Sequence, residues 1–264
     1  MGILNVTPDS FAEREPLTDV ARAVDAAIEM EAHGADIVDV GGESTRPGAA
    51  TVTAGEEASR VIPVIRALAG RLRVPISVDT RKSSVARQAL AEGASIVNDV
   101  SGFREESGMA GVVADAGAAA VLMHLRGHPE DMYRYAHYEN LAAEIAGELR
   151  QSVQIAVDAG VPRNRIIADP GIGFAKHAAH SYGVFARIHE LSSALDLPVL
   201  IGPSRKSFMR EALNNRPAIE RDWGTAAAVT AAVLGGAHIV RVHAVAEMSQ
   251  VVRVAEEIRT AWTD

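Results

Sequence analysis

The sequence contains no cysteine, which removes disulfides and thiolate metal sites from consideration and fits a reducing compartment. No stretch approaches the ~20 uninterrupted apolar residues of a membrane span, and the first residues lack the basic and long apolar regions of a secretory signal. A soluble, cytoplasmic protein with no membrane partner is expected. Positive charge is not in excess either: 26 Lys and Arg stand against 34 Asp and Glu, a formal net charge of −8. That balance excludes nucleic acid as a partner held by bulk electrostatics, because such binding needs a basic surface that displaces counterions. Any anionic ligand must be gripped by a few cations gathered in one place. Missing too are the phosphate loops GxGxxG and GxxxxGK[ST] after the first apolar run, where an open nucleotide-binding sheet would carry one.

What is present suits one large core. The 264 residues are 48% hydrophobic and 23% charged, near the usual length of an eight-stranded α/β barrel, and a single domain over 1–264 is expected. Short β-branched runs alternate with longer amphipathic or Ala-rich stretches from end to end, which is how parallel strands with crossover helices read. The pattern predicts strands near 2–6, 35–40, 75–79, 95–99, 119–124, 165–169, 198–202 and 237–243. Helices are predicted near 19–33, 54–69, 82–92, 107–117, 139–159, 180–195, 223–234 and 245–262. The joints HGAD, EGAS, DAGAA and GGAH each put Gly just past a helix and ahead of an apolar strand, as turns at the bottom of a barrel do. Polar and Gly/Pro-rich segments follow the strands instead, on the face where this fold builds its sites. A (β/α)8 TIM barrel with its active site at the carboxyl ends of the strands is the expected architecture.

Each expected strand ends in polar residues. They are Asn5, Asp39 with the stretch from Glu43 to Arg46, Asp79, Asn98 and Asp99, His124, Asp169, Lys206 just past strand seven, and Arg241 with His243. Asp79, Asn98 and Asp169 combine carboxylates, which accept two N–H bonds, with an amide that both donates and accepts. That set suits the edge of a flat heterocycle, a pterin or a purine. Asn5, Thr45, Arg46, Ser204, Arg205, Lys206, Arg241 and His243 supply donors and cations for a phosphate or carboxylate. A ligand with a heterocyclic end and an anionic end is implied. Asp39 and Asp99 are read as hydrogen-bonded structural residues, and His124 as a satisfied interior histidine, because no second metal-type side chain stands at ligand spacing beside it.

The motifs, taken in order, resemble the dihydropteroate synthase family along the whole chain. They are MGILNVTPDSF (1–11), GADIVDVGGESTRPGA (34–49), ISVDT (76–80), VNDVSG (97–102), DPGIGFAK (169–176), SRKSF (204–208) and RVH (241–243). The resemblance implies a transferase of folate biosynthesis that joins hydroxymethyl-dihydropterin pyrophosphate to p-aminobenzoate by an SN1-like substitution and releases pyrophosphate. It implies that Asp79, Asn98, Asp169 and Lys206 hold the pterin, with Met123 and Phe174 against its faces. Asn5, Thr45, Arg241 and His243 would hold pyrophosphate together with Mg2+, for which Asn5 is the implied protein ligand. Asp9, Phe11, Thr45, Arg46, Pro47, Lys206 and Ser207 would shape the p-aminobenzoate pocket. Lys206, Asp79, Asp169, Arg241 and His243 are the implied catalytic set.

The sequence departs from that family at Ala244, where an Asp is usual, at Glu13 in the first loop, and in FAKHAAHS (174–181). Ala244 bears on how His243 is oriented. Two rivals follow: a pterin-dependent methyltransferase, which has no need of SRKSF or of loops closing on an arylamine, and a pterin-binding paralogue impaired in catalysis. Arg126 and the stretch PEDMYRYAHY (129–138) receive no role. The last helix carries more apolar residues than one packing face requires, and the resemblance implies a homodimer.

Overall fold

The computed structural model describes residues 1–7, 19–44 and 51–263. Six strands, β1 (Gly2–Asn5), β2 (Val38–Gly41), β3 (Ile76–Asp79), β4 (Ile96–Asp99), β5 (Ala119–Met123) and β6 (Ile166–Asp169), pair in sequence order as one sheet. Every pairing is parallel. β7 (Leu200–Ile201) and β8 (Ile239–Val240) form a second parallel pair. Two isolated bridges join these pieces, Ala168 to Val199 and Gly2 to Val242. Across the second, the Ile3 amide donates to the Val242 carbonyl at 2.9 Å. The sheet thus closes on itself as an eight-stranded barrel, in agreement with the expected fold. β7 and β8 are shorter than the runs 198–202 and 237–243 because their flanks pair only through these single bridges.

Side chains alternate across each strand, and this parity decides what faces inward. Leu4, Val38, Val40, Val78, Val97, Leu122 and Ala168 face the helices and join a core with Val61, Ile65 and Leu149. The opposite parity gives Ile96, Val121, Leu200, Ile167 and Ile239, which fill the barrel interior together. Fully burying each such Val, Leu or Ile contributes about 1.5–3 kcal/mol. By the same parity Asn5, Asp39, Asp79, Asn98 and Asp169 point inward, at the carboxyl end of the barrel.

The helices are α1 (Val20–Ala32), α2 (Ala54–Leu68), α3 (Ser83–Ala91), α4 (Met109–Asp115), α5 (Leu141–Asp158), α6 (Ala178–Phe185), α7 (Ile188–Leu195), α8 (Asp222–Leu234) and α9 (Val245–Thr263). Asp19, Thr53 and Asn140 cap α1, α2 and α5 by accepting from backbone amides with their side chains. The four Gly joints have positive φ at Gly34, Gly93, Gly117 and Gly236, so those turns are of the expected kind. One helix expected over 180–195 is two. Arg187 leaves helical geometry at φ −129° and ψ 17°, and the bend lets Val184 on one side and Ile188, Leu191 and Leu195 on the other all reach the core. Among the described residues no helix is long and apolar enough to cross a membrane.

Just past β6 the chain turns sharply at Gly171, whose φ is +71° and whose missing Cβ would stand 2.1 Å from the His124 carbonyl oxygen. Gly171→Ala should therefore cost at least about 3 kcal/mol, from strain and overpacking together. A urea midpoint equal to that of the wild type would contradict the close approach.

Candidate active site

A cavity of about 450 Å³ opens at the carboxyl ends of the strands. Many of the residues singled out from sequence line it: Asn5, Glu43, Ser44, Asp79, Phe174, Ser204, Arg205, Lys206, Ser207, Arg241 and His243. Asn5 and His243 come from opposite ends of the chain and meet because β1 pairs beside β8 at the Gly2–Val242 bridge. Asn98, Met123 and Asp169 are buried just behind this lining. Asp9, Phe11, Glu13, Thr45, Arg46 and Pro47 lie outside the described residues.

Three strands meet in one ionic cluster. Arg241 donates from Nε to Asp39 Oδ2 at 2.6 Å and from Nη2 to Asp79 Oδ2 at 2.7 Å. Asn98 Nδ2 donates to the same Asp39 oxygen at 3.0 Å. Asp39 is fully buried, so the structural role expected for it holds, and its position between Asn98 and Arg241 makes it the hinge of the site. Burial pushes the Asp79 carboxyl up to about 7, against the pull of Arg241, and the nearby Asp39 pushes it further. The guanidinium keeps its charge between two carboxylates, and raises its own affinity for a proton through them.

Across the cavity Lys206 donates to the Ile172 carbonyl at 2.7 Å. Its ammonium sits 4.7 Å from the centre of the Phe174 ring, a cation–π contact. Burial brings this lysine down to about 8, although Asp169 draws it back up. Asp169 accepts from the Gly171 amide at 2.7 Å, which anchors the loop after β6, and burial raises its carboxyl. Asp99 accepts from the Ser101 and Phe103 amides and is pushed up to about 6 by burial. It is the structural residue the sequence suggested.

His243 is held without a carboxylate at position 244. Ser204 Oγ lies 2.8 Å from His243 Nδ1 and accepts from the His243 amide at 3.2 Å. Ser204 thus holds both the backbone and the ring of His243, and fixes the orientation of the imidazole through Nδ1. Arg205, grouped above with the anion-binding donors, makes a two-pronged pair with Asp222, Nε to Oδ1 and Nη2 to Oδ2, both at 2.7 Å. His124 is buried between Lys176 and Glu148, an interior histidine as expected. Among the described residues no three His, Asp or Glu side chains converge to hold a metal. Magnesium takes most of its ligands from water and substrate phosphates, so the single amide oxygen of Asn5 fits an ion that arrives with its pyrophosphate.

Sequence reasoning missed several lining residues: Met132, Tyr133, Arg210 and Arg221. Arg221 is buried and donates to the backbone carbonyls of Arg216, Arg205 and Lys206. Burial and the neighbouring Arg210 lower its pKa. Nothing in its sequence context marks it, because it follows a surface loop rather than a strand.

A cavity that sets buried carboxylates beside an arginine and a lysine, at the carboxyl ends of a parallel barrel, defines a class. The family of pterin binding enzymes matches residues 1–243, and the chain belongs to it. The dihydropteroate synthase of Synechocystis sp. is 45% identical over 98% of this chain and 89% of its own length. The crystal structure of the Yersinia pestis dihydropteroate synthase with a sulfonamide drug superposes with a TM-score of 0.94 at 39% identity, covering 98% of this chain and 93% of that one. The Xanthomonas albilineans dihydropteroate synthase solved with 4-aminobenzoic acid gives a TM-score of 0.89 at 39% identity, over 98% of this chain and 92% of that one. Within the family, then, the chain falls among the dihydropteroate synthases, transferases of folate biosynthesis.

Ser204→Ala removes the hydroxyl that bonds His243 Nδ1. Pyrophosphate affinity should fall about 3- to 10-fold, the worth of a typical hydrogen bond. Calorimetry returning the wild-type affinity would remove Ser204 from the orientation of His243.

Proposed function

We propose that the cavity binds hydroxymethyl-dihydropterin pyrophosphate and p-aminobenzoate and joins them, and that its walls divide the labour as follows. Asp79, Asn98 and Asp169 read the pterin edge, Lys206 donates to its ring, and Phe174 and Met123 cover its faces. Asn5, Arg241 and His243 receive the pyrophosphate. Ser207 and Lys206 form the described part of the p-aminobenzoate pocket, to which Thr45, Arg46, Pro47, Asp9 and Phe11 would be added. The observation that carries this reading is the Asp79–Arg241 contact at 2.7 Å, which sets a heterocycle reader and an anion holder side by side. Structures of relatives with a sulfonamide drug and with 4-aminobenzoic acid support the arylamine subsite.

Charge movement assigns the chemistry. As the C–O bond to pyrophosphate breaks, negative charge grows on the leaving group beside Arg241 and His243, and fixed donors aimed at developing charge are the strongest catalytic device a site has. Positive charge grows on the pterin, where Asp79 and Asp169 stabilise it, and the arylamine nitrogen then attacks the carbon left behind. Magnesium, when bound with pyrophosphate beside Asn5, supplies further neutralisation of that anion. The cysteine-free composition supports a cytoplasmic setting. The fold also supports reading the whole chain as one pterin-binding domain.

Mixing the purified chain with both substrates and magnesium should yield dihydropteroate and pyrophosphate in equal amounts. Methyl transfer to a corrinoid in place of that product would favour the rival enzyme class, and neither activity would favour the impaired paralogue. Arg241→Ala should weaken pyrophosphate binding on the order of 10- to 100-fold, since a charge-assisted partner contributes roughly 1.5–3 kcal/mol. Asp79 accepts with both oxygens only when ionised, and Lys206 gives a charge-assisted bond only when protonated. With the first pushed up to about 7 and the second down to about 8, kcat/KM for the pterin should rise with pH through 7 and fall above 8. The acid limb should move further up in Arg241→Ala, because the guanidinium is what lowers Asp79; an unmoved limb would assign it to another group.

The same reading includes a homodimer. On α9, Val254, Ile258 and Trp262 recur every four residues and are exposed, a stripe on one helix face that the other described residues leave uncovered. Sedimentation should give a dimer for the wild type and a monomer for Ile258→Glu; a monomeric wild type would refute the pairing.

A further inference from the structure

The loop after β6 is wound through three left-handed residues, Gly171 at φ +71°, Gly173 at +77° and Ala175 at +48°. Ala175 has a Cβ and is fully buried, so its conformation is costly and must be imposed by neighbours. Four consecutive carbonyls of this loop each receive a side-chain donor. Ile172 receives Lys206 at 2.7 Å, Gly173 receives the Tyr133 hydroxyl at 3.4 Å, Phe174 receives Lys176 at 3.1 Å, and Ala175 receives the Tyr138 hydroxyl at 2.9 Å. Lys206 belongs to the cavity, while the other three donors stand outside the roles assigned so far.

Lys176 is the deepest of them, with 1% of its surface exposed. Its ammonium also lies 2.8 Å from His124 Nδ1, and His124 Nε2 lies 3.1 Å from Glu148 Oε2. Glu148 is gripped in turn by Arg126, from Nε at 2.8 Å and Nη2 at 2.5 Å, and Arg126 lies over the Tyr138 ring, 4.2 Å from its centre. The cage closes on itself: it leaves the loop at Phe174 through Lys176 and returns at Ala175 through Tyr138. Burial holds His124 down to about 3 and Glu148 stays ionised, lowered to about 2 by its His124 and Arg126 partners despite its partial burial. The histidine is therefore neutral, with Nδ1 accepting from Lys176 and Nε2 donating to Glu148.

We propose that Lys176, fixed by the His124–Glu148–Arg126 chain, is a positioning residue that sets where the Phe174 ring stands and, through that ring and the Ile172 carbonyl, where Lys206 meets the pterin. The groups that hold Lys206, the Ile172 carbonyl and the Phe174 ring, lie within two residues of the Phe174 carbonyl, so releasing that carbonyl lets ring and ammonium drift together. Lys176 and His124 are buried, while Arg126, Glu148 and Tyr138 are partly exposed, and none of the five lines the cavity. This role rests on the pterin site proposed above.

The test measures pterin pyrophosphate binding by calorimetry and steady-state kinetics in wild type, Lys176→Met and Glu148→Gln. Failure of the wild type to bind the pterin would overturn the site reading itself and this role with it. With wild-type binding established, Lys176→Met should raise the KM and Kd for the pterin about tenfold, the effect of one lost anchoring hydrogen bond to a charged group. Glu148→Gln, which keeps the shape but loosens His124, should give a smaller rise in the same direction. A structural role alone would lower kcat in proportion to the folded fraction and leave the pterin KM unchanged, and that result would overturn the proposal. Should Lys176→Met fail to fold, Glu148→Gln decides by the same criterion.

Discussion

Arg241 ties the barrel mouth together. A guanidinium from strand eight reaches across to carboxylates on strands two and three, and the same Asp39 oxygen that receives it also holds Asn98 of strand four. Buried carboxylates so close would repel and take up protons without a cation among them. With Arg241 in place, Asp39 can remain fully buried and Asp79 can face the cavity. The pterin wall and the anion wall are consequently one electrostatic unit: whatever draws the guanidinium toward a bound anion also changes the company Asp79 keeps.

Lysines complete the balance on the opposite side. Lys206 stands against Asp169, and Lys176 lies one layer deeper, with burial lowering both, Lys176 to about 7. Each of these cations is stabilised by backbone carbonyls or a ring rather than by a direct ion pair. An interior arranged in this way keeps its charges few and fixed, which is what a chain of net charge −8 needs if it is to attract an anion at one place only.

The barrel was legible because its signal is periodic. Val38, Val40 and Val78 alternate with Asp39 and Asp79, so strand, inward parity and candidate ligand come from one pattern. The Gly joints were legible for the same reason of backbone geometry, and closure followed from the count of strand–helix units. What the pattern could not carry is contact across distance. Tyr133, Arg221 and Lys176 read locally as a surface aromatic, a solvated arginine and a loop lysine, and only packing reveals that the first lines the cavity and the other two are buried. The bend at Arg187 was hidden too, because the residues on both sides of it are equally helix-forming and only the direction of the core separates them. Orientation of His243 by Ser204 depends on a pairing of residues 39 apart, which no local motif encodes.

The chain has two tryptophans, and both stand on the outer helices: Trp223 at the start of α8 is 89% exposed and Trp262 near the end of α9 is 68% exposed. Neither lines the cavity, whose aromatic rings are Phe174, Tyr133 and the imidazole of His243. In the monomer both indoles face water, and pairing through α9 would cover Trp262, so indole emission from this protein reports on what packs against that helix. Trp223, two residues from the cavity-lining Arg221, keeps its water-facing place in either state, and the absorbance of the pterin itself is the reporter for the centre of the barrel.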